Sequence, residues 1–304
     1  MISMNHTIRQ LFITAAMPVL QAIVRNAPPS GLRLLAWEWG HSPLFNSVEF
    51  TTQANGFLVA GNTSDLIQGY LYWFGVWEPN LTDFIMGRMS EEPKRVFVDV
   101  GANIGYFTTL VAKRYPQSSV VSIEAFPPTV EKLRLNLERN CVNNVRLIDV
   151  AVSDTEGIVE FFYAGCFNEG ATTTVKGRFQ STALPVSCKP LSELLTDEEI
   201  AAARLIKIDV EGAELRVING LVSIVPLLPE DCEVIVEISG DSAEGSGLIY
   251  AAFAAHGFHA YELENNYDPL SYLYPQAPRR PQRLSAIPKK QTDVVFSRLD
   301  TESL

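Results

Sequence analysis

The chain is short of several things that would have settled its nature at once. Cysteine is scarce: Cys141, Cys166, Cys188 and Cys232 are the only four in 304 residues, and none forms a CxxC pair. Paired-cysteine metal and redox motifs are therefore excluded, and reduced structural thiols of a cytoplasmic protein are expected. Histidine is as rare, and His6, His41, His256 and His259 make no ligand pattern with the acids. His256 and His259 are expected to close a surface helix around Gly257. Positive charge is in deficit, with 24 Lys and Arg against 35 Asp and Glu, a net −11. A nucleic-acid binder needs basic surface to displace counterions, so that class is disfavoured. No long apolar run is present. The stretch Leu11 to Val24 has fourteen residues and is interrupted by Pro18, whereas a bilayer span takes about 20. Its signal-peptide features are poorly formed. A packing or interfacial helix is expected there, with weak peripheral membrane contact as its most intimate tie to lipid. There is no P-loop and no internal repeat.

What is present points to a folded enzyme-sized chain. An apolar share of 47% and a charged share of 19% belong to a globular protein with a real core. Residues 1–92 are expected to form an accessory region of helices and a hairpin, and residues 93–304 the main domain. Ser47 to Gly61 alternates apolar and polar residues around Ala54-Asn55-Gly56, a hairpin signature. Asp65 to Phe74 and Pro79 to Met89 predict two short helices, capped by Asp65 and opened by Pro79. Tyr70, Tyr72, Trp73, Phe74 and Trp77 cluster either as core or as a pocket wall. From Val96 onward strands and helices alternate. Strands are expected at Val96–Val100, Val120–Glu124, Val145–Val150, Leu205–Asp209, Glu233–Ile238, Phe258–Glu262 and Asp293–Ser297. That alternation predicts an α/β fold, a doubly wound, seven-stranded, mostly parallel sheet with its last pair antiparallel. Gly157–Ala164 and Leu184–Cys188 look like an inserted pair of strands.

The most informative segment is VFVDVGANIGYF, Val96 to Phe107. An apolar run ends in Asp99, turns through Gly101 and Gly105, and enters a helix, the usual cradle of a nucleotide-like cofactor. Asn103 stands where a dinucleotide fingerprint has a glycine that lets a pyrophosphate approach. A cofactor without phosphates suits this loop, and S-adenosylmethionine leads. Asp99 suits its cationic amino-acid moiety, and is otherwise a cap for the turn. Glu124 follows Gly101 by twenty-three residues, close to the spacing at which an acid meets a ribose diol. It could equally sit at the start of the next helix, favoured by the dipole there.

Four segments together resemble the FkbM family of S-adenosylmethionine-dependent methyltransferases: GVWEPNLTDFI from Gly75, VFVDVGANIGYFT from Val96, VVSIEAFPPTVEKLRLNLERN from Val120 and LIKIDVEGAELRVINGL from Leu205. The resemblance covers roughly Gly69 to the C-terminus. One departure is visible: the family reads FEP-like after the second strand, and this chain reads Glu124-Ala125-Phe126. The resemblance implies a class I, Rossmann-like methyltransferase, transferring methyl to oxygen of a sugar, glycan or other small molecule. It implies cofactor contacts from Glu78, Asp99, Gly101, Asn103, Gly105, Glu124 and Ala125. In such folds the turn after the third strand commonly meets adenine, which implicates Ala151, Ser153 and Asp154, though an Asx turn would use the same residues.

For the transfer itself, Asp209 is the first choice as base or substrate orienter and Glu211 the second; either is otherwise a helix cap. Asp209, Glu211 and Glu237 are oxygen ligands of the type a divalent cation takes, but no metal is assigned. Pro275 to Lys290 carries Arg279, Arg280, Arg283, Lys289 and Lys290 without an acid. This is a solvated loop or a positive rim for an anionic substrate. Sequons at Asn5, Asn62 and Asn80 matter only in a secreted protein. The alternatives are N-methylation, a nicotinamide-dependent oxidoreductase, or a non-catalytic module of the same fold. The acceptor and the oligomeric state have no code in the sequence.

Overall fold

A computed structural model of the protein describes residues 6–42, 45, 47–92, 94–162, 183–210, 212–238, 243–288 and 290–304. The chain divides into two compact units, Met1–Glu78 with Asn266–Ala277, and Pro79–Asn265 with Pro278–Leu304.

The first unit contains α1 (His6–Asn26), α2 (Gly31–Gly40), the hairpin β1 (Glu49–Ala54) and β2 (Phe57–Asn62), and α3 (Leu66–Phe74). A short helix, Pro269–Leu273, completes it. Ile13, Met17 and Val24 share one face of α1 and are buried with Ala36, Phe45, Tyr72, Trp73 and Leu273. The apolar N-terminal stretch is thus a packing helix, held by burial of its stripe. Arg25 fixes its far end. The guanidinium donates to the carbonyls of Leu71 and Tyr72 at 2.5 and 2.6 Å, at the end of α3. A cation there also meets the negative end of the helix dipole. Asp65 caps α3 by accepting from Gln68 N–H at 3.0 Å, and Gly75 ends it in the left-handed region.

The second unit opens with α4 (Pro79–Ser90), β3 (Val96–Val100), α5 (Tyr106–Arg114), β4 (Ser119–Ile123), α6 (Pro127–Arg139) and β5 (Val145–Ile148). Next come β6 (Ala151–Val152), β7 (Gly157–Phe162), β8 (Ala183–Lys189), α7 (Leu191–Leu194), α8 (Asp197–Ala201), β9 (Ala203–Ile208) and α9 (Glu214–Leu221). It ends with β10 (Glu233–Ile238), α10 (Ala243–Ala254), β11 (His259–Leu263), β12 (Gln282–Arg283) and β13 (Thr292–Ser297). The main sheet runs β12-β11-β13-β10-β9-β3-β4-β5. The five strands from β10 to β5 are parallel, and β13 is antiparallel to both its neighbours. This is the expected doubly wound, mostly parallel sheet with one strand more. The addition, β12, is two residues long and pairs with Tyr261 and Glu262; so short a strand carries no alternation to read. The expected insertion forms β7 and β8, which with β6 make a separate three-stranded sheet; residues 163 and 164 lie outside the described part. His256 and Gly257, the latter at φ +76°, do close α10, their N–H groups donating to the Phe253 and Ala254 carbonyls at 3.0 and 3.1 Å; His259 instead begins β11.

Period-two alternation divides this sheet into two faces. Val96, Val98, Val100, Ile206, Ile208, Val234 and Val236 pack on Val217, Ile218 and Leu221 of α9 and on Ile249 and Phe253 of α10. The opposite face carries Asp99, level with Lys207 on β9 and Ser122 on β4. Polar residues inside a parallel sheet are costly unless partnered, so this second face holds the candidate site.

Candidate functional site

The turn between β3 and α5 is fixed by close approach. Gly101, at φ +78°, lies so near β9 that an added Cβ would stand 1.8 Å from the Asp209 carbonyl oxygen. Gly105, at φ +84°, would put a Cβ 2.2 Å from Leu133 of α6. No L side chain fits at either place. The two sequence segments DVGANIG and IKIDVEG therefore interlock physically, backbone against backbone. Asn103 is left-handed at φ 52°, a conformation asparagine tolerates better than most residues. Its Oδ1 accepts from Ile104 N–H at 2.7 Å and stiffens the turn.

Glu124 clasps this turn from the end of β4. Oε2 accepts from Asn103 N–H at 2.9 Å, and Oε1 from Ala125 and Phe126 N–H at 3.0 and 2.9 Å. The carboxylate thus joins the cradle to the start of α6, where Phe126 is the N-cap and Pro127 and Pro128 follow. The helix-start reading of Glu124 is seen directly in these contacts. A carboxylate offers about four acceptor positions, and three are occupied by backbone, leaving capacity on Oε2. Burial raises the Glu124 carboxyl above its ordinary value, while the Phe126, Asn103 and Ala125 amides pull it down.

Beneath the turn, Asp99 is 1% exposed. Its Oδ2 accepts from Thr108 O–H at 2.7 Å, and that hydroxyl is 2.9 Å from Ser122 Oγ. Its Oδ1 has no hydrogen-bond partner among the described residues. Burial pushes the Asp99 carboxyl up, opposed by the Lys207 ammonium and the Thr108 hydroxyl. Lys207 is itself buried; its Nζ donates to Asp209 Oδ2 at 2.9 Å and lies 5.2 Å from the centre of the Phe107 ring. Lys207 and Asp209 do project to one side, as alternation predicts.

A further carboxylate was not legible in the sequence. Asp293, near the start of β13, is 5% exposed and accepts a hydrogen bond from Asn265 Nδ2. Burial and the negative charge of Asp209 raise its carboxyl to about 7, against the pull of Lys207 and Asn265. Its partners come from β9 and from the segment after β11, and no local motif announces such an assembly.

The remaining candidates are more dispersed. Ser153 is buried, and its N–H donates to the Lys189 carbonyl at 3.0 Å, so that amide is already engaged. Its Oγ donates to Asp154 Oδ1 at 3.1 Å, and Asp154 is exposed. Glu237 Oε1 accepts from Gln291 Nε2 at 2.7 Å. Glu211 lies outside the described residues, and α9 begins at Glu214. Among the described residues no group of three or more acids, histidines or cysteines is placed to hold a metal ion. Within the first unit, Glu78 is buried and left-handed at φ 44°. Its Oε1 accepts from Tyr267 O–H at 2.6 Å, and its N–H donates to Tyr272 Oη at 3.2 Å. Trp77 stacks on Tyr267, with ring centres 5.3 Å apart. The aromatic cluster is packed core in this unit.

These residues fit a sulfonium nucleoside. The cradle is closed to any Cβ at two glycines, Asp99 keeps one carboxylate oxygen without a partner among the described residues, and Glu124 retains acceptor capacity beside the turn. The model of the FkbM methyltransferase domain matches residues 99–268, more than half of the chain. Methyltransferase 1 of Beauveria bassiana is 29% identical over 142 residues, which are 41% of this chain and 57% of that protein. Methyltransferase sdnD of Sordaria araneosa is 28% identical over 153 residues, 41% of this chain and 59% of that protein. The chain thus spans somewhat over half the length of these two relatives. The 31-O-demethyl-FK506 methyltransferase FkbM of Streptomyces tacrolimicus is 30% identical over 194 residues, 55% of this chain and 73% of that protein. The cradle and these matches agree: the chain belongs to the FkbM methyltransferase family, and its cofactor is S-adenosylmethionine.

Proposed function

We propose that the protein transfers a methyl group to a hydroxyl of a sugar, glycan or other small molecule. The observation that carries this reading is the glycine turn pressed against Asp209 and clasped by Glu124. It sets the backbone of the turn against the backbone carbonyl of Asp209, the residue that follows β9. When bound, S-adenosylmethionine supplies an electrophilic methyl group. Asp99, Gly101, Asn103, Gly105, Glu124 and Ala125 would hold it, with Ser153 and Asp154 toward its adenine ring. Glu78 joins them on the resemblance alone. Asp209 would orient or deprotonate the acceptor, with Glu211 as the second choice. Oxygen is favoured over nitrogen on two grounds. A hydroxyl is a poor nucleophile that gains from a nearby base, and this edge is rich in carboxylates. One relative, by its name, acts on 31-O-demethyl-FK506.

The test is mass spectrometry of ligand that co-purifies with the chain, followed by calorimetry and by labelled methyl donor in cell extract. The expected result is bound S-adenosylmethionine or S-adenosylhomocysteine and label in a hydroxyl-bearing product. Retention of a nicotinamide compound with no affinity for the sulfonium nucleoside would overturn the reading.

A further inference from the structure

We infer that Asp293 takes the proton from the acceptor hydroxyl, with Asn265 and Asp209 as its positioning partners. This rests on the methyl-transfer reading above. The topology supplies the place. β13 runs antiparallel, so its first residues return to the edge where the parallel strands end; Asp293 is level with Glu237, and Thr292 with Ile238. On the other side of β10, Val236 is level with Ile208, which puts Asp209 in the next row with Glu237. Asp209, Glu237 and Asp293 therefore end three adjacent strands on the face that carries Asp99 and Lys207.

The local chemistry separates the two aspartates. Asp209 Oδ2 is occupied by the Lys207 ammonium at 2.9 Å, which leaves that oxygen engaged. The hydrogen bond to Asp293 comes from a neutral amide, that of Asn265. Among the described residues the charged groups facing Asp293 are Lys207 on β9, Asp209 just after it, and Glu237, its register partner on β10, which is engaged by Gln291. Burial and Asp209 together bring the Asp293 carboxyl to about 7, and a base is most effective when it titrates near the working pH. The step balances: the carbon–oxygen bond forms and the carbon–sulfur bond breaks. The electron pair of the broken bond stays on sulfur, giving S-adenosylhomocysteine. The hydroxyl proton passes to Asp293 and then to water.

The experiment uses the full chain with labelled S-adenosylmethionine, and with methyl glycosides or water as acceptor. S-adenosylhomocysteine formation is followed against pH, cofactor affinity by calorimetry, and the aspartate carboxyls by carbon NMR titration. Asp293→Asn should keep cofactor affinity within about threefold while turnover falls about 10² to 10⁴-fold, the range of a general base. In Asp209→Asn, the Asp293 titration and the pH profile should both move down by about one unit, since a neighbouring negative charge is gone. Should Asp293→Asn not fold, Asn265→Ala keeps the carboxylate and must still slow turnover and shift the profile. Near-normal turnover with an unshifted profile in these variants overturns the inference and leaves the methyl-transfer reading intact. Absence of cofactor binding by the unmodified chain overturns that reading, and this inference with it. If the chain binds cofactor but neither acceptor reacts, the titration decides. An Asp293 carboxyl in the ordinary range then overturns the inference, and one near neutrality supports it.

Discussion

The two ends of the main sheet are built from similar residues to opposite effect. At the amino end of the parallel strands, Arg88, Arg95 and Arg204 meet Glu91, Glu92, Asp231 and Glu233 in pairs of 3.2 Å or less. Arg95 also donates to the carbonyls of Ala202 and Ala203, tying β3 to β9. Arginine forks suit such multiple bonds. The charges nearly cancel and all three arginines are ion-paired, although Glu233 Oε1 has no hydrogen-bond partner among the described residues. At the carboxyl end stand Asp99, Glu124, Asp209 and Asp293, and among the described residues Lys207 is the cation bonded into that group. Among the described residues Asp99 has an oxygen without a hydrogen bond, and burial raises the Asp99, Glu124 and Asp293 carboxyls. One end is closed by ion pairs; the other gathers carboxylates at the strand ends, with the Lys207 ammonium bonded to Asp209. Perturbed carboxyls gathered at one edge are a mark of function.

The comparison can be broken at its structural end first. Arg204 is buried, its side chain 5% exposed, against a Glu233 side chain at 2%. Arg204→Ala leaves that carboxylate with Arg88 alone, and should cost about 3 kcal/mol of stability in denaturant unfolding. Cofactor affinity of the folded fraction should be unchanged. A loss of affinity without a loss of stability would mean that the two ends are not distinct in role.

The functional end should answer the other way. Glu124→Ala leaves three backbone N–H groups unsatisfied and removes the clasp on Asn103. Stability should fall by about 1–3 kcal/mol, and S-adenosylmethionine affinity by about ten- to a hundredfold in calorimetry. Glu124→Gln keeps an acceptor and should lie between. If the affinity of the alanine variant is unchanged, Glu124 only caps a helix.

Much of this second end was readable in one dimension, and the reason is physical. The strand, glycine turn and following helix are contiguous, so Asp99, Gly101, Asn103 and Gly105 carry their geometry in local sequence. Glu124 was placed by spacing alone, because a strand and its crossover have a characteristic length. Its three amide partners were not foreseen, since a side chain's hydrogen bonds depend on how a turn folds back. Asp293 was invisible. It is an ordinary acid at the head of an apolar strand, and what distinguishes it is neighbours 84 positions away at Asp209 and 28 away at Asn265. Only the antiparallel return of β13 brings them together. The two-residue β12 escaped for a different reason, being too short for any period.

The finest test of the contrast is the dependence of stability on pH. An unfolded aspartate releases its proton near pH 4, whereas folded Asp293 holds it to about 7. Between those values the native chain binds a proton that the unfolded chain has lost. Stability contributed by that proton is complete below about pH 4 and declines as pH rises through 7. The slope from one group is at most about 1.4 kcal/mol per pH unit. Asp99 and Glu124 are shifted in the same direction, so the unmodified chain should lose stability across this window by more than Asp293 alone accounts for. Asp293→Asn should remove its share, flattening the curve of unfolding free energy between pH 4 and 7 while leaving the low-pH end nearly unchanged. Lys207→Met should steepen it, because the ammonium is what restrains both Asp99 and Asp293. An Asp293→Asn curve parallel to that of the unmodified chain would mean that the carboxylate is ionised throughout, and the difference between the two ends of the sheet would then be one of packing and not of charge.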